Sequence, residues 1–275
     1  MRNRKPPTYA ELRGLCESIY PKSRAPADHR SPVAENLTRM DRALSWLARC
    51  EATDDDAVDE RFLFLWITFN AAYGDDRNLK PSADDGVEIS ESQKLGEFLG
   101  RIVARDAGYR LADIIRLHHD EFRTLIDNRF LYNPFWKAEY NEKIRHNWES
   151  TFAAEKQRAH EALDDKHLET NQTREILHIT FNRLYTLRNQ ILHGGASWRD
   201  RYNRSSLASG DAILGLLVPE ILRFMLDAMQ EQPDRADWGS IAYPPYLETP
   251  DDTTQGPPGA TPSRRPARKG GREPT

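Results

Sequence analysis

The sequence predicts an all-α fold, and three observations lead to that prediction. Apolar residues recur about every 3.6 residues in several segments, which is typical of amphipathic helices. No segment shows the alternating apolar and polar pattern, bounded by hairpin turns, that is typical of strands. Helix start and stop signals bound the segments, such as Ser31-Pro32 at one start and Gly194-Gly195 at one end. We therefore expect a helical bundle.

Composition narrows the classes of protein to which the chain can belong. Of its 275 residues, 38% are hydrophobic and 30% are charged, and the length is sufficient to bury a core. No apolar run reaches about 18 residues, so we expect no transmembrane helix and no membrane partner. The basic N-terminus is not followed by an apolar segment, which argues against a secretory signal. Cys16 and Cys50 lie in no metal-binding motif, so we expect a cytoplasmic protein without a structural zinc site.

The chain divides into three regions. Residues 1–30 form an N-terminal extension with one predicted helix, from Tyr9 to Tyr20. Residues 31–248 form the helical domain. From residue 249 proline and glycine dominate and apolar residues almost vanish, so we expect a disordered basic tail over 249–275. Two interpretations of the tail stay open, a solvated segment and a weak electrostatic attraction to RNA.

Several helices are predicted within the domain. The first follows Ser31-Pro32 and extends to about Cys50. The next, over 62–74, is apolar nearly all round and should be the buried central helix, with Trp66, Phe69 and Tyr73 in the core. The other predicted elements are helices over 95–103 and 111–126, a long polar helix over 135–167, a helix over 212–229 that Pro219 should kink or split, and an aromatic strap over 238–247.

A helix predicted over 171–193 ends in a group of polar side chains. Asn189 and His193 are four residues apart, so their side chains are neighbours on a helix. An imidazole titrates near neutrality and can act as an acid or a base. Arg188 lies on another face, within the apolar stripe, where a guanidinium requires an acidic partner, a cleft or another chain. The Gly194-Gly195 pair lets a ligand or another backbone approach closely.

This segment resembles the active-site motif of the HEPN superfamily. Members carry an arginine, a polar residue and, at a short spacing, a histidine, and Arg188, Asn189 and His193 fit that pattern. The apolar helix over 62–74 is similar to the second core helix of larger HEPN proteins, such as those of the ApeA-like anti-phage group. The resemblance covers about residues 31–230.

The resemblance implies a HEPN-like helical bundle that pairs as a homodimer and acts as an endoribonuclease without a metal or another cofactor. His193 would act as general acid or base when the RNA 2′-OH attacks the scissile phosphate to give a 2′,3′-cyclic phosphate. Arg188 would stabilise the charged transition state, and Asn189 would orient His193 or bind the phosphate. One histidine per chain is too few for both proton transfers, which is a further reason to expect two subunits. The expected role is that of a toxin or anti-phage defence effector, with an antitoxin or regulatory protein as an open possibility.

RNA contact, if it occurs, must be local, because the net charge is −4. Candidate RNA-binding residues lie close to the motif in sequence and carry a positive charge or an aromatic ring: Arg183, Tyr185, Arg199, Arg201, Tyr202 and Arg204. For the group over 199–204 a solvated loop is an equally good interpretation, and we interpret the acidic residues over 54–60 as a solvated turn. Asn70 requires a buried partner and is placed to face the motif helix.

Two further hypotheses compete with a ribonuclease. One is a catalytically inactive HEPN-like module that binds RNA or a partner protein. The other is a helical interaction protein unrelated to HEPN proteins.

Overall fold

A computed structural model of the chain describes residues 5–21, 31–75, 90–165, 167–199, 201–233, 235 and 238–243. Throughout these ranges the regular structure is helical, with eleven α-helices and one short 3₁₀ helix, which confirms the prediction of an all-α fold. Residues up to Ala242 belong to one compact unit, and Tyr243 is the only described residue beyond it. The tail predicted over 249–275 and the end of the predicted strap, from residue 244, lie outside the described residues. None of the described helices has the length and apolar character needed to span a bilayer.

The first four helices begin largely where their capping residues predict. They are α1 (Tyr9–Ile19), α2 (Pro32–Glu51), α3 (Val58–Tyr73) and α4 (Glu91–Arg105). The side chains of Thr8, Ser31 and Ser90 each accept a hydrogen bond from a backbone N–H in the first turn of α1, α2 and α4. The predicted start of α2 at Ser31-Pro32 is therefore confirmed.

The middle of the chain is more broken than the sequence predicts. It contains α5 (Arg110–Leu117), α6 (His119–Asp127), a 3₁₀ helix (Arg129–Leu131), α7 (Asn133–Lys137), α8 (Glu142–Arg145) and α9 (Trp148–Leu163).

Two predictions for this region are wrong. The single helix predicted over 111–126 is two helices, because His118 leaves the helical conformation and acidic residues favour a new helix N-terminus just after it. The long helix predicted over 135–167 is three helices. The Asn141 side chain accepts a hydrogen bond from the N–H of Lys143 and so starts α8 afresh, which competes with a continuous helix.

The last two helices are α10 (Thr170–Leu192) and α11 (Arg204–Glu231). The bounds of α10 lie within one residue of the prediction. Helix α11 begins well before its predicted start at residue 212, because small residues such as Ser206 and Gly210 are buried there and hide the apolar pattern. A Cβ at Gly210 would lie 3.0 Å from a ring carbon of Phe62, so this part of α11 packs closely on α3. Pro219 does not split α11.

Helix α3 is the centre of the core. It packs on α2 and α11, and Phe62, Leu65 and Phe69 are almost fully buried. On its other side the ring of Phe69 lies 4.4 Å from that of Phe181 in α10, measured between centroids. The predicted burial of Trp66 and Phe69 is therefore confirmed, and these rings set the distance between α3 and α10. Helix α1 packs on α2 and α11 rather than standing apart from the domain.

Arg39 on α2 is a fully buried charged residue that links three segments. Its guanidinium donates hydrogen bonds to the carbonyl oxygens of Ala72 (2.8 Å), Gly74 (2.6 Å) and Gly239 (2.8 Å). Burial lowers the pKa of Arg39 to about 10, so the group stays charged at neutral pH. Because the acceptors include free carbonyls at the end of α3, the charge also lies at the negative end of that helix.

Replacing this guanidinium should destabilise the fold. We expect Arg39→Met to lower the free energy of unfolding by at least about 2 kcal/mol, because buried carbonyl oxygens lose their donors. Urea unfolding followed by circular dichroism measures this. The matched control is Arg158→Met, which breaks an ion pair with Glu175 in which both side chains are exposed, and which should cost less than about 1 kcal/mol. Equal losses in the two variants would show that Arg39 does not link the segments as described.

Candidate functional site

The C-terminal end of α10 carries the polar motif. The backbone N–H of His193 donates to the carbonyl of Asn189 at 3.0 Å, so the helical path continues through His193. Gly194 then turns the chain with a φ of +73°, a conformation that glycine adopts without strain. Asn189 is half-buried and His193 is exposed. The two side chains line the same cavity, as their spacing on a helix predicts.

This cavity, which we call the motif cavity, has a volume of about 630 Å³. Such a volume is typical of cavities that hold small molecules. Aromatic rings, amides and one imidazole line it, and among the described residues no Asp, Glu, Lys or Arg does so. The lining residues are Phe130, Asn133, Trp136, Thr186, Asn189, Gln190, His193, Gly195, Tyr202 and Asn203.

Gln190 holds the walls of the motif cavity together. Its Nε2 donates to the carbonyl of Phe130 at 2.8 Å, and its Oε1 accepts a hydrogen bond from Nδ2 of Asn203 at 3.2 Å. The indole N–H of Trp136 donates to the same Phe130 carbonyl at 2.8 Å. One amide on α10 thus connects the 3₁₀ helix to the loop before α11.

Arg188 faces a different cavity, which we call the polar cavity and which has a volume of about 620 Å³. The sequence leaves an acidic partner, a cleft or another chain as the environment of this arginine, and the structure places it in a cleft. Its Nη1 donates to Oδ1 of Asn189 at 2.8 Å, while its Nε is buried without a hydrogen-bond partner among the described residues. Asn133 lines both cavities. The hydrogen bond to Asn189 thus connects the guanidinium to the motif cavity.

The polar cavity also contains amides from two helices. Asn70 of α3 and Asn182 of α10 both line it, together with Arg188. Asn70 therefore faces the motif helix, as the sequence predicts. The predicted core residue Tyr73 is half-buried, stacks on Phe69 at 5.5 Å between ring centroids, and also lines this cavity.

Of the predicted RNA-binding residues, Arg183 is buried and Tyr185 is half-buried. Arg183 is only 2% exposed, is ion-paired with Glu155 and stacks over the ring of Tyr132 at 4.7 Å. Burial lowers its pKa. Its guanidinium belongs to the interior, so the predicted RNA contact at Arg183 does not fit this structure. Tyr185 is half-buried, lines the polar cavity and packs edge-on against Trp66.

Asp59, which belongs to the acidic segment over 54–60 and lies in the first turn of α3, anchors part of the predicted basic loop. Both Nη atoms of Arg204 donate to the carboxylate of Asp59 at distances of 2.7 to 3.0 Å. The backbone N–H of Arg199 also donates to Asp59, at 3.3 Å, and the Arg199 guanidinium stacks on Trp198. The interpretation of this segment as a purely solvated turn is therefore wrong for Asp59. Arg204 is engaged in this ion pair.

The remaining two predicted residues, Arg201 and Tyr202, interact with each other. The guanidinium of Arg201 donates to the hydroxyl of Tyr202 at 2.8 Å and stacks over its ring. Tyr202 is exposed and lines the cavity directly. Of the predicted residues in the 199–204 group, Tyr202 therefore shares the motif cavity with Asn189 and His193, and Arg201 is bonded to Tyr202.

Sequence reasoning missed the wall opposite α10. Phe130, Asn133 and Trp136 line the motif cavity, but they lie more than fifty residues before the motif in the chain. The available signal was a dense aromatic cluster, Phe130 to Trp136, in a segment that is otherwise polar. By itself the Asn133-Pro134 pair indicates only a break between helices.

Comparison of the chain with family models, with curated proteins and with solved structures found no match. Within the ranges that the structure describes, no group of three or more His, Cys, Asp or Glu side chains could hold a metal ion. The geometry of the site is thus the basis for its interpretation. It combines an imidazole and an amide in an aromatic cavity with a guanidinium bonded to that amide.

Removing the Gln190 amide should loosen the cavity without unfolding the protein. We expect Gln190→Ala to lower the free energy of unfolding by about 1–3 kcal/mol, because two hydrogen bonds are lost. Hydrogen–deuterium exchange should rise in peptides that cover the 3₁₀ helix and the loop before α11. The control is Gln157→Ala, which removes a hydrogen bond to the exposed Glu161 and should leave both measurements nearly unchanged. Unchanged exchange in Gln190→Ala would contradict the linking role of this residue.

Proposed function

We propose that the chain is a metal-independent endoribonuclease of the HEPN type, which cleaves RNA and leaves a 2′,3′-cyclic phosphate. One observation carries the proposal. Asn189 lines the motif cavity beside His193 and at the same time accepts a hydrogen bond from Arg188 at 2.8 Å. An amide that holds a guanidinium thus shares a cavity with an imidazole at an accessible helix end. The resemblance of these three residues to the HEPN motif supports the assignment.

The proposed reaction uses a nucleophile that the RNA itself supplies. The 2′-oxygen forms a bond to the adjacent phosphorus, the bond from phosphorus to the 5′-oxygen breaks, and the 2′-OH proton passes to a base. A protonated imidazole gives a proton to the departing 5′-oxygen. Because attack is intramolecular, holding the ribose and phosphate in line supplies much of the rate.

Each motif side chain has a distinct role in this proposal. His193 is exposed at the helix end and carries a proton to or from the reacting oxygens. The planar guanidinium of Arg188 matches two phosphate oxygens and stabilises the charge that develops there. Asn189 holds one edge of that guanidinium and keeps it next to the motif cavity.

We also propose that the active form is a homodimer. One imidazole cannot serve as base and acid in the same step, whereas two subunits supply two. Leu192, the residue before His193, and Trp198, five residues after it, are exposed, and exposed apolar side chains are typical of surfaces that contact another chain. A toxin or anti-phage defence effector, held in check by an antitoxin or regulatory protein, is the cellular role that the HEPN resemblance favours.

The first test is cleavage of a labelled RNA in the presence of EDTA. We expect His193→Ala to lower kcat/KM by about 10²- to 10⁴-fold, as for the loss of a general acid or base. Arg188→Ala should have a comparable effect, and Arg188→Lys should recover part of it. Mass spectrometry should find a 2′,3′-cyclic phosphate on the upstream fragment. His146→Ala is the control, because His146 is also exposed but lies near α8. Cleavage by His193→Ala at the wild-type rate would refute the assignment.

A mixing experiment tests the shared cleft. Excess His193→Ala chains, allowed to exchange subunits with the wild type, should lower activity further than dilution explains, because mixed dimers keep one imidazole. Light scattering should give twice the chain mass. Activity that is unaffected by the excess variant, together with a monomeric mass, would exclude a site built from two subunits.

The alternative is a catalytically inactive HEPN-like module that binds RNA or a protein. The observation that favours it is the placement of Arg188 in the polar cavity rather than in the motif cavity. No cleavage by the wild type, combined with salt-sensitive binding of RNA, would support this alternative.

A further inference from the structure

Three aromatic side chains of the motif cavity are exposed to solvent. The exposed fraction is 43% for Phe130, 47% for Trp136 and 77% for Tyr202, and all three share the cavity with His193. Contact between large aromatic rings and water is unfavourable. A planar ligand that stacks on such rings in a concave surface removes part of that unfavourable contact. The cavity is therefore suited to a flat, partly polar ligand.

The wall formed by Trp136 is held in place before any ligand binds. Its indole N–H already donates to the carbonyl of Phe130 at 2.8 Å, so the ring faces are the part left for contact. Phe130 in turn packs edge-on against Phe135, with 5.3 Å between centroids. A surface that is ordered in advance loses little conformational entropy on binding.

Positive charges flank this aromatic surface. The guanidinium of Arg129 lies 5.0 Å from the centre of the Phe130 ring, and that of Arg201 is bonded to the Tyr202 hydroxyl. In the described part of the chain, neither arginine forms an ion pair with a carboxylate. An aromatic, amide-lined cavity with a cationic rim fits a nucleobase and its phosphates better than an apolar peptide or a lipid tail.

We propose that the motif cavity holds one unpaired nucleobase of the RNA substrate, stacked on Trp136 next to the scissile phosphate. This inference rests on the proposed function and names its substrate class, single-stranded RNA. A base inside a duplex is stacked and paired on both sides and cannot enter the cavity without being extruded. Arg129 and Arg201 then contact the phosphates on either side of that base.

The test compares Trp136→Ala with the wild type on a short single-stranded RNA whose cleavage site has been mapped. Because Trp136→Ala removes the stacking partner of one base, it should lower kcat/KM by roughly 5- to 150-fold. The same RNA is then made with an abasic residue at each position flanking the cleaved bond. At one of these positions the abasic residue should lower kcat/KM of the wild type by a similar factor. The same abasic residue should not lower kcat/KM of Trp136→Ala any further. Trp136→Phe should retain most of the activity, and a duplex of the same sequence should be cut poorly by the wild type.

The control variant is Trp46→Ala, which removes an indole of similar exposure on α2 and should leave kcat/KM unchanged. Cleavage of intact RNA by Trp136→Ala at the wild-type rate would overturn the inference and leave the proposed function standing. A monomeric Trp136→Ala protein would overturn it in favour of a role in subunit contact.

If the wild type cuts no RNA, the proposed function fails. The inference is then decided by binding, because Trp136→Ala should weaken the affinity for single-stranded RNA and leave that for the abasic RNA unchanged.

Discussion

The burial of α3 is the constraint on which the rest of the structure depends. This helix carries apolar side chains on nearly every side, so no single partner can cover it. Helices α2 and α11 cover part of its surface, and the Phe69–Phe181 contact joins it to α10. One face of α10 is committed to these rings, and Asn189 and His193 lie on a different face of the helix. The position of the motif thus follows from the packing of a helix that contains none of its residues.

The sequence predicts the fold well wherever apolar periodicity and a local end signal agree. Helix α2 begins after Ser31 because that side chain accepts a hydrogen bond from the first turn. Helix α10 ends at Leu192 because Gly194, two residues later, turns the chain with a positive φ. The predictions fail where tertiary packing decides. Gly210 and Ser206 are buried in α11 but carry no apolar signal, and the sparse apolar residues over 135–167 do not reveal that Asn141 interrupts the helix.

The candidate site is predictable only in its local part. The pairing of Asn189 with His193 follows from a separation of four residues on one helix. The opposite wall, with Trp136, cannot be derived that way, because it depends on how a distant segment packs against α10. The same limit explains Arg183, which is positive and close to the motif in sequence but is paired in the interior with Glu155. Proximity along the chain indicates neither exposure nor the availability of a charge.

The contact between Arg39 and Gly239 has a consequence for any shortening of the chain. A protein cut before residue 239 would keep the buried guanidinium but lose one of the three oxygens that solvate it, and water would have to enter the gap. The same cut would remove the carbonyl of Ala242, which accepts a hydrogen bond from Arg42. A boundary placed after residue 243 retains both oxygens. The segment from Trp238 to Ala242, though it contains no helix, is therefore as much a part of the domain as the helices that it crosses.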